Sequence, residues 1–127
     1  MAEQPGGNHP VELEISSRVV EGALVVEVAG EVDLDTAPQL HAAIVDAIDR
    51  TADAGPIIDL TRVSFLGSAG LTVLLRATRH AEARSEQLPI VVDANRPVIR
   101  PIELTGLDVV LRLYHSVDEA LQSGRNP

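Results

Sequence analysis

The 127-residue chain has no cysteine, no tryptophan and no lysine, and its aromatic residues are Phe65 and Tyr114 alone. Without cysteine there can be no disulfide, thiolate metal site, cysteine nucleophile or thiol redox sensor. Without lysine a Gly-x-x-x-x-Gly-Lys-Ser/Thr loop is impossible, and Gly-x-Gly-x-x-Gly is also missing, which excludes nucleotide hydrolysis by a P-loop. Scarce aromatics remove the platforms that usually stack bases or sugars, and they require an aliphatic core.

No apolar run approaches the roughly 20 residues of a spanning helix. The start Met1-Ala2-Glu3-Gln4-Pro5 lacks a basic stretch followed by an apolar one. The expectation is a cytoplasmic protein with no membrane insertion. Its 19 acidic and 10 basic residues, the latter all arginine, give a formal net charge of −9. That balance argues against nucleic acid or an anionic membrane surface and suits a protein partner. A chain of this length with 45% hydrophobic residues has room for one domain around one core.

Residues 1–10, with Gly6-Gly7-Asn8 and two prolines, read as a flexible lead-in, and residues 11–123 as the domain. Val11, Leu13 and Ile15 alternate with polar residues, and the run Ala23 to Gly30 continues the strand signal after Glu21-Gly22, which predicts a hairpin. Asp35 or Thr36 supplies an N-cap, and Pro38 suits a first helical turn. A helix then places Leu40, Ala43, Ile44, Ala47 and Ile48 on one face and is expected to end near Ala54-Gly55.

Ile57-Ile58-Asp59-Leu60 opens a central strand that passes through Gly67-Ser68-Ala69-Gly70 into a second helix, whose inner side is read as Leu71, Leu74, Leu75 and Thr78. The stretch Leu88 to Asp93 is a strand with its proline at an edge or first position, parallel to the central one. A third helix follows Asn95-Arg96-Pro97. Its regular part is expected to start close to Pro101 and to close at Thr105-Gly106. Val109 to Tyr114 reads as a last strand, and Ser116 to Glu119 as a capping box opening a terminal helix that frays over residues 124–127. The order β-β-α-β-α-β-α-β-α implies an α/β domain with one mixed sheet and helices mainly on one face. Its core would contain Val26, Val28, Leu40, Ile44, Ile48, Ile57, Leu60, Leu71, Leu74 and Leu75.

Enzymatic readings fail on spacing. Leu66-Gly67-Ser68-Ala69-Gly70 lies between strand and helix like a nucleophile elbow, but Leu66 stands where Gly-x-Ser-x-Gly needs glycine. His80 is about 18 Å along the same helix from Ser68, too far to be its base. His9, His41, His80 and His115 are scattered and form no ligand pair, so no metal or other cofactor is expected. Ser68 at a helix start can cap free backbone N–H groups, and those same groups can hold a phosphate if the hydroxyl is modified. Asp33 and Asp35 read as turn and cap residues, or as part of a functional rim if their loop lies beside Ser68. Asp59 is either a solvent-facing strand residue or part of that rim.

Three stretches together resemble the STAS domain of bacterial anti-sigma factor antagonists. Gly30-Glu31-Val32-Asp33-Leu34-Asp35-Thr36-Ala37-Pro38 is similar to the family's Gly-Glu-hydrophobic-Asp segment and helix start. Asp59 to Leu71 is similar to its signature strand and loop, and Leu104-Thr105-Gly106-Leu107 to its third helix end. The resemblance covers about Val11 to Ser123. It implies a non-enzymatic protein that binds an anti-sigma factor with serine kinase activity and so frees a sigma factor. Phosphorylation of a loop serine by that kinase breaks the complex, and a phosphatase reverses it. The serine corresponds to Ser68. The family usually has Asp-Ser-Ser/Thr-Gly-Leu, whereas this chain has Gly67-Ser68-Ala69-Gly70-Leu71.

The implied partner surface combines Asp33, Asp35 and Thr36 with Gly67, Ser68, Ala69 and Gly70, and with Thr72 and Arg76 on the exposed side of the second helix. Two other readings stay open at this point. One is a constitutive STAS subunit of a membrane transport or lipid-trafficking complex, and the other a small-ligand sensor.

Overall fold

Glu21 and Gly22 have φ angles of 50° and 85°, the left-handed backbone that a two-residue hairpin turn requires. They join β1 (Glu14–Val20) to β2 (Ala23–Val32) with Val20 opposite Ala23. The computed structural model describes residues 13–51 and 55–125, the last two as backbone only. The lead-in over residues 1–10, the strand start at Val11 and the final pair Asn126-Pro127 lie outside the described residues.

Five strands form one sheet, lying side by side in chain order. β1 is antiparallel to β2, while β3 (Ile57–Leu66), β4 (Pro89–Val91) and β5 (Arg112–Tyr114) continue the sheet in parallel. Pro89 opens β4, where a missing N–H is tolerated. Because successive strand residues point to opposite faces, neighbouring apolar residues feed different cores. Val26, Val28, Ile58, Leu60 and Ile90 meet α1 (Ala37–Arg50) and α2 (Ser68–Ala83) in the main core. Val25, Ile57 and Val91 meet Ala120 of α4 (Val117–Arg125) on the opposite face.

Four details differ from the sequence reading. α1 ends at Arg50 rather than near Ala54-Gly55: the Thr51 hydroxyl donates to Ala47 O at 3.1 Å or Ile48 O at 3.2 Å, and its extended backbone turns the chain out of the helix. α2 buries Val73, Ala77 and Ala81 with Leu71, Leu74 and Thr78, whereas Leu75 is only half-buried, one residue step (about 100°) around the helix from Leu74. α3 (Arg96–Leu104) begins before Pro101 and carries that proline inside it. Val98 and Ile102, one turn apart, are fully buried. Their burial is worth about 1.5–3 kcal/mol each, enough to offset the roughly 3 kcal/mol that a mid-helix proline costs. Finally, Leu107–Val109 forms a 3₁₀ turn, so the last strand is confined to Arg112–Tyr114.

Other local signals hold. Gly106 has φ 75° just after α3. Ser116 Oγ accepts from Glu119 N–H at 3.0 Å, while Glu119 Oε1 accepts from His115 N–H at 2.8 Å, a capping box displaced by one residue.

Truncating Leu74 or Ile44, both fully buried, to alanine is expected to cost about 2–5 kcal/mol each. Leu75→Ala should cost less than either. Chemical denaturation of the three variants checks the assignment, and equal losses for Leu74→Ala and Leu75→Ala would show that the inner face of α2 is centred elsewhere.

Candidate functional site

β2 and β3 are parallel and end opposite each other, with Val32 paired to Leu66. The loops that follow them therefore leave from one edge of the sheet. This brings Asp33, Asp35 and Thr36 to the same rim as the turn before α2.

The β2–α1 loop is held by its own side chains. Asp33 Oδ1 accepts the N–H groups of Asp35 at 2.9 Å and Thr36 at 3.0 Å. Thr36 Oγ1 accepts Asp33 N–H at 2.9 Å and shares its one proton between Glu31 O at 2.8 Å and Asp33 Oδ1 at 3.2 Å. Thr36 occupies the N-cap position of α1 without making a side-chain cap bond, because its hydroxyl is already committed to the loop. Asp35 caps nothing. The hydrogen bond from Thr36 N–H is the main reason the Asp33 carboxyl titrates below its ordinary value of 3.8; partial burial opposes the shift, and bonds from the Thr36 hydroxyl and Asp35 N–H reinforce it.

The turn after β3 is built on close approach. Gly67 N–H donates to Val32 O at 2.9 Å, tying the start of α2 to the end of β2. Gly67 has φ −86° and ψ −178°, extended backbone open to any residue. What limits the position is Phe65, whose ring would lie 3.1 Å from a Cβ there. At Gly70 a Cβ would stand 2.5 Å from Leu66 Cδ1 and 2.8 Å from Val32 Cγ1, so only glycine lets the first turn of α2 settle onto the two strand ends.

Ser68 is the first residue of α2, and Gly67 takes the N-cap position, so Ser68 is not the helix cap. Its hydroxyl is exposed and has no hydrogen-bond partner among the described residues. Thr72 Oγ1, one turn on, donates back to Ser68 O at 3.1 Å. Between the first turns of α1 and α2 runs an open groove of about 390 Å³, lined by Leu34, Ala37, Pro38 and His41 on one side and Ala69, Thr72, Val73 and Arg76 on the other. Of the residues expected at the rim, Ala69, Thr72 and Arg76 line this groove, while Asp33, Asp35 and Thr36 lie in the loop after β2 and Gly67, Ser68 and Gly70 in the turn after β3, at the same sheet edge.

Asp59 does not belong to it. Asp59 lies at the opposite end of β3 and accepts Thr61 N–H at 2.9 Å and Thr61 Oγ1 at 2.7 Å. His80 Nε2 is 2.8 Å from Asp49 Oδ1, far along α2 from Ser68, and His9 lies outside the described residues. Among the described residues, no group of three or more His, Cys, Asp or Glu side chains could hold a metal ion. No described helix is long and apolar enough to cross a membrane.

Sequence reading missed Leu34 and Phe65, which are 80% and 47% exposed beside the turn. A leucine between two aspartates is the signal that marked the first. It also missed Asn95, whose Nδ2 donates to Leu60 O and Val63 O at 2.8 Å each and steadies the β3 segment that leads into the site.

The sequence pattern of the STAS domain matches residues 14–120. The chain belongs to the STAS domain family. The anti-sigma-F factor antagonist RsfB of Mycobacterium tuberculosis is 38% identical to this STAS domain over 104 residues, which span 82% of this chain and 83% of that protein. The anti-sigma-B factor antagonist of Listeria monocytogenes is 30% identical over 103 residues, 81% of this chain and 88% of that one. The crystal structure of an anti-sigma factor antagonist from Mycobacterium paratuberculosis superimposes with a TM-score of 0.76 at 34% identity, covering 91% of this chain and 96% of the other.

Two substitutions probe how the STAS rim is held. Gly70→Ala should lower stability by about 1–3 kcal/mol, since overpacking against the stiff Val32 outweighs the helix-propensity gain of about 1 kcal/mol. A higher melting temperature for Gly70→Ala would contradict the close approach. For Asp33, the lowered folded value means that its ionised form stabilises the fold above pH 3.8, and that this contribution is lost as pH falls through the folded value. Asp33→Asn keeps an oxygen acceptor without charge, so wild type should be the more stable near neutrality and the difference should vanish in acid. Denaturant melts of both proteins across pH measure it.

Proposed function

We propose that this STAS domain is an anti-sigma factor antagonist of the cytoplasm. Without catalysing a reaction itself, it binds an anti-sigma factor that is also a serine kinase, and so releases a sigma factor. Its contact surface is the rim of Asp33, Asp35 and Thr36, the turn Gly67, Ser68, Ala69 and Gly70, and Thr72 and Arg76. Phosphorylation of Ser68 by the bound kinase breaks the complex, and a phosphatase restores it.

One observation carries this reading above the others. Ser68 presents an exposed hydroxyl, free of any described hydrogen bond, at the first position of a 16-residue helix and beside an apolar groove. A serine retained only as a cap would spend its oxygen on a backbone N–H, and a constitutive transport subunit has no use for a modifiable hydroxyl there. A phosphate on Ser68 would bring about −1.5 to −2 charges. The free N–H groups and dipole of the helix start can accommodate it, so the unbound domain should stay folded. An interface closed over an uncharged Ser68 must instead desolvate the new charge. Stranded charges at interfaces cost about 2–5 kcal/mol, or some thirtyfold to a few thousandfold in affinity.

Ser68→Glu is therefore expected to bind the anti-sigma factor at least about thirtyfold more weakly than wild type, whereas Ser68→Ala should bind normally and resist release by ATP. The partner is first recovered from native cytosol by pull-down and identified as an anti-sigma factor with a kinase domain. Calorimetry with that purified protein then compares the three forms, and equal affinities would defeat the switch.

A further inference from the structure

Three arginines of this acidic chain pair with carboxylates among the described residues. Arg18 meets Glu27 at 2.8 Å, Arg50 meets Asp46 at 3.1 Å, and Arg84 meets Asp49 at 3.6 Å and Glu86 at 3.9 Å. Arg76 is exposed and has no ion pair among the described residues. Its neighbours one turn away on α2 are Thr72, Val73, Arg79 and His80, none of them acidic. Across the groove, α1 offers Pro38 and His41. A cation thus stands at the end of an apolar groove that no acidic side chain lines among the described residues.

The other end is built differently. Leu34, 80% exposed, projects from the loop where the groove begins, with Ala37, Pro38, Ala69 and Val73 forming its apolar walls. Asp35 sits exposed beside Leu34, and Asp33 is absorbed by the bonds of its own loop. The surface therefore has a polarity: an acid and a large apolar side chain at the sheet edge, and an unpaired arginine about two turns down the helices.

We propose that this groove receives a segment of the anti-sigma factor that packs an apolar side chain against Leu34 and Val73 and sets a carboxylate on Arg76. This rests on the antagonist reading and names the chemistry of the partner's contact. Charge complementarity selects an acidic segment, because a basic one would meet Arg76 and Arg79 together. The arginine serves the partner and not the phosphate: Ser68 lies eight residues earlier, about 12 Å along the helix axis, with Thr72 between. Binding and release thus use opposite ends of one groove. Rim charges of this kind act chiefly on recognition and its salt dependence.

Calorimetry with the purified anti-sigma factor tests this on the full chain, in wild type and in the Arg76→Glu, Arg76→Ala, Leu34→Ala and Arg112→Glu variants. Arg112, on the far edge strand, is the control. Arg76→Glu is expected to weaken binding about tenfold or more, Leu34→Ala to weaken it severalfold, and Arg112→Glu to change it by less than about twofold. Wild-type affinity should fall with added salt, and Arg76→Ala should lose part of that dependence. All variants should melt like wild type, since every altered side chain is exposed. If Arg76→Glu and Arg76→Ala bind as wild type does while Ser68→Glu stays weak, the acidic-segment proposal is wrong and the antagonist reading stands. If wild type binds no anti-sigma factor, both fall.

Discussion

The functional end of this molecule depends on how closely three elements approach at Val32. Its carbonyl accepts the Gly67 N–H at 2.9 Å, and its Cγ1 lies where it would be 2.8 Å from any side chain at Gly70. Parallel pairing already sets Val32 opposite Leu66. Together these contacts make α2 begin within two residues of the end of β3 and lie directly over the strand ends. The first turns of α1 and α2 are then side by side, and the groove between them follows from packing at Val32 and needs no separate device.

Within that frame the rim divides into a fixed part and a free part. The Asp33 carboxylate and the Thr36 hydroxyl are both engaged inside their own loop, which orders it before any partner arrives. Preorganisation of this sort lowers the entropic cost of binding. Ser68 contributes nothing comparable to the fold. A change at Asp33 must therefore act on stability, whereas in the proposed complex a change at Ser68 can act on binding alone. That separation is what a reversible covalent switch requires, because a modification that unfolded the domain could not be undone by removing it.

Much of this was readable from short-range signals. The Glu21-Gly22 hairpin, the proline opening β4, Gly106 after α3 and the Ser116 to Glu119 box are each set by two to four adjacent residues, and each formed where expected. Where a local signal failed, a contact elsewhere in the fold outweighed it. Thr36 looks like a helix cap until Glu31 O takes its hydroxyl, and Ser68 looks like one until the Gly67 to Val32 bond moves the helix start. Pro101 looks like a boundary until the burial of Val98 and Ile102 is counted. The groove was legible only as separate residues on two helices. Its apolar members Leu34, Pro38 and Val73 acquire meaning from the tertiary contact between α1 and α2, which no local pattern encodes.

The departure at Gly67 bears on how the proposed switch is read by its partner. Where the family's usual pattern places an aspartate before the serine, this chain has no side chain, and the ring of Phe65 borders the space instead. With Phe65 beside Gly67 and the largely exposed Leu34 sharing a groove with Ala69, the unmodified turn is bordered by apolar side chains and carries no charge of its own. An apolar contact is the most sensitive background for a phosphate, since a partner shaped to it supplies no groups to solvate an anion. A neighbouring aspartate would have required such groups, and these would have softened the penalty of phosphorylation. In the proposed switch, glycine there would therefore sharpen the contrast between the bound and the modified states, even though the chain as a whole is strongly acidic.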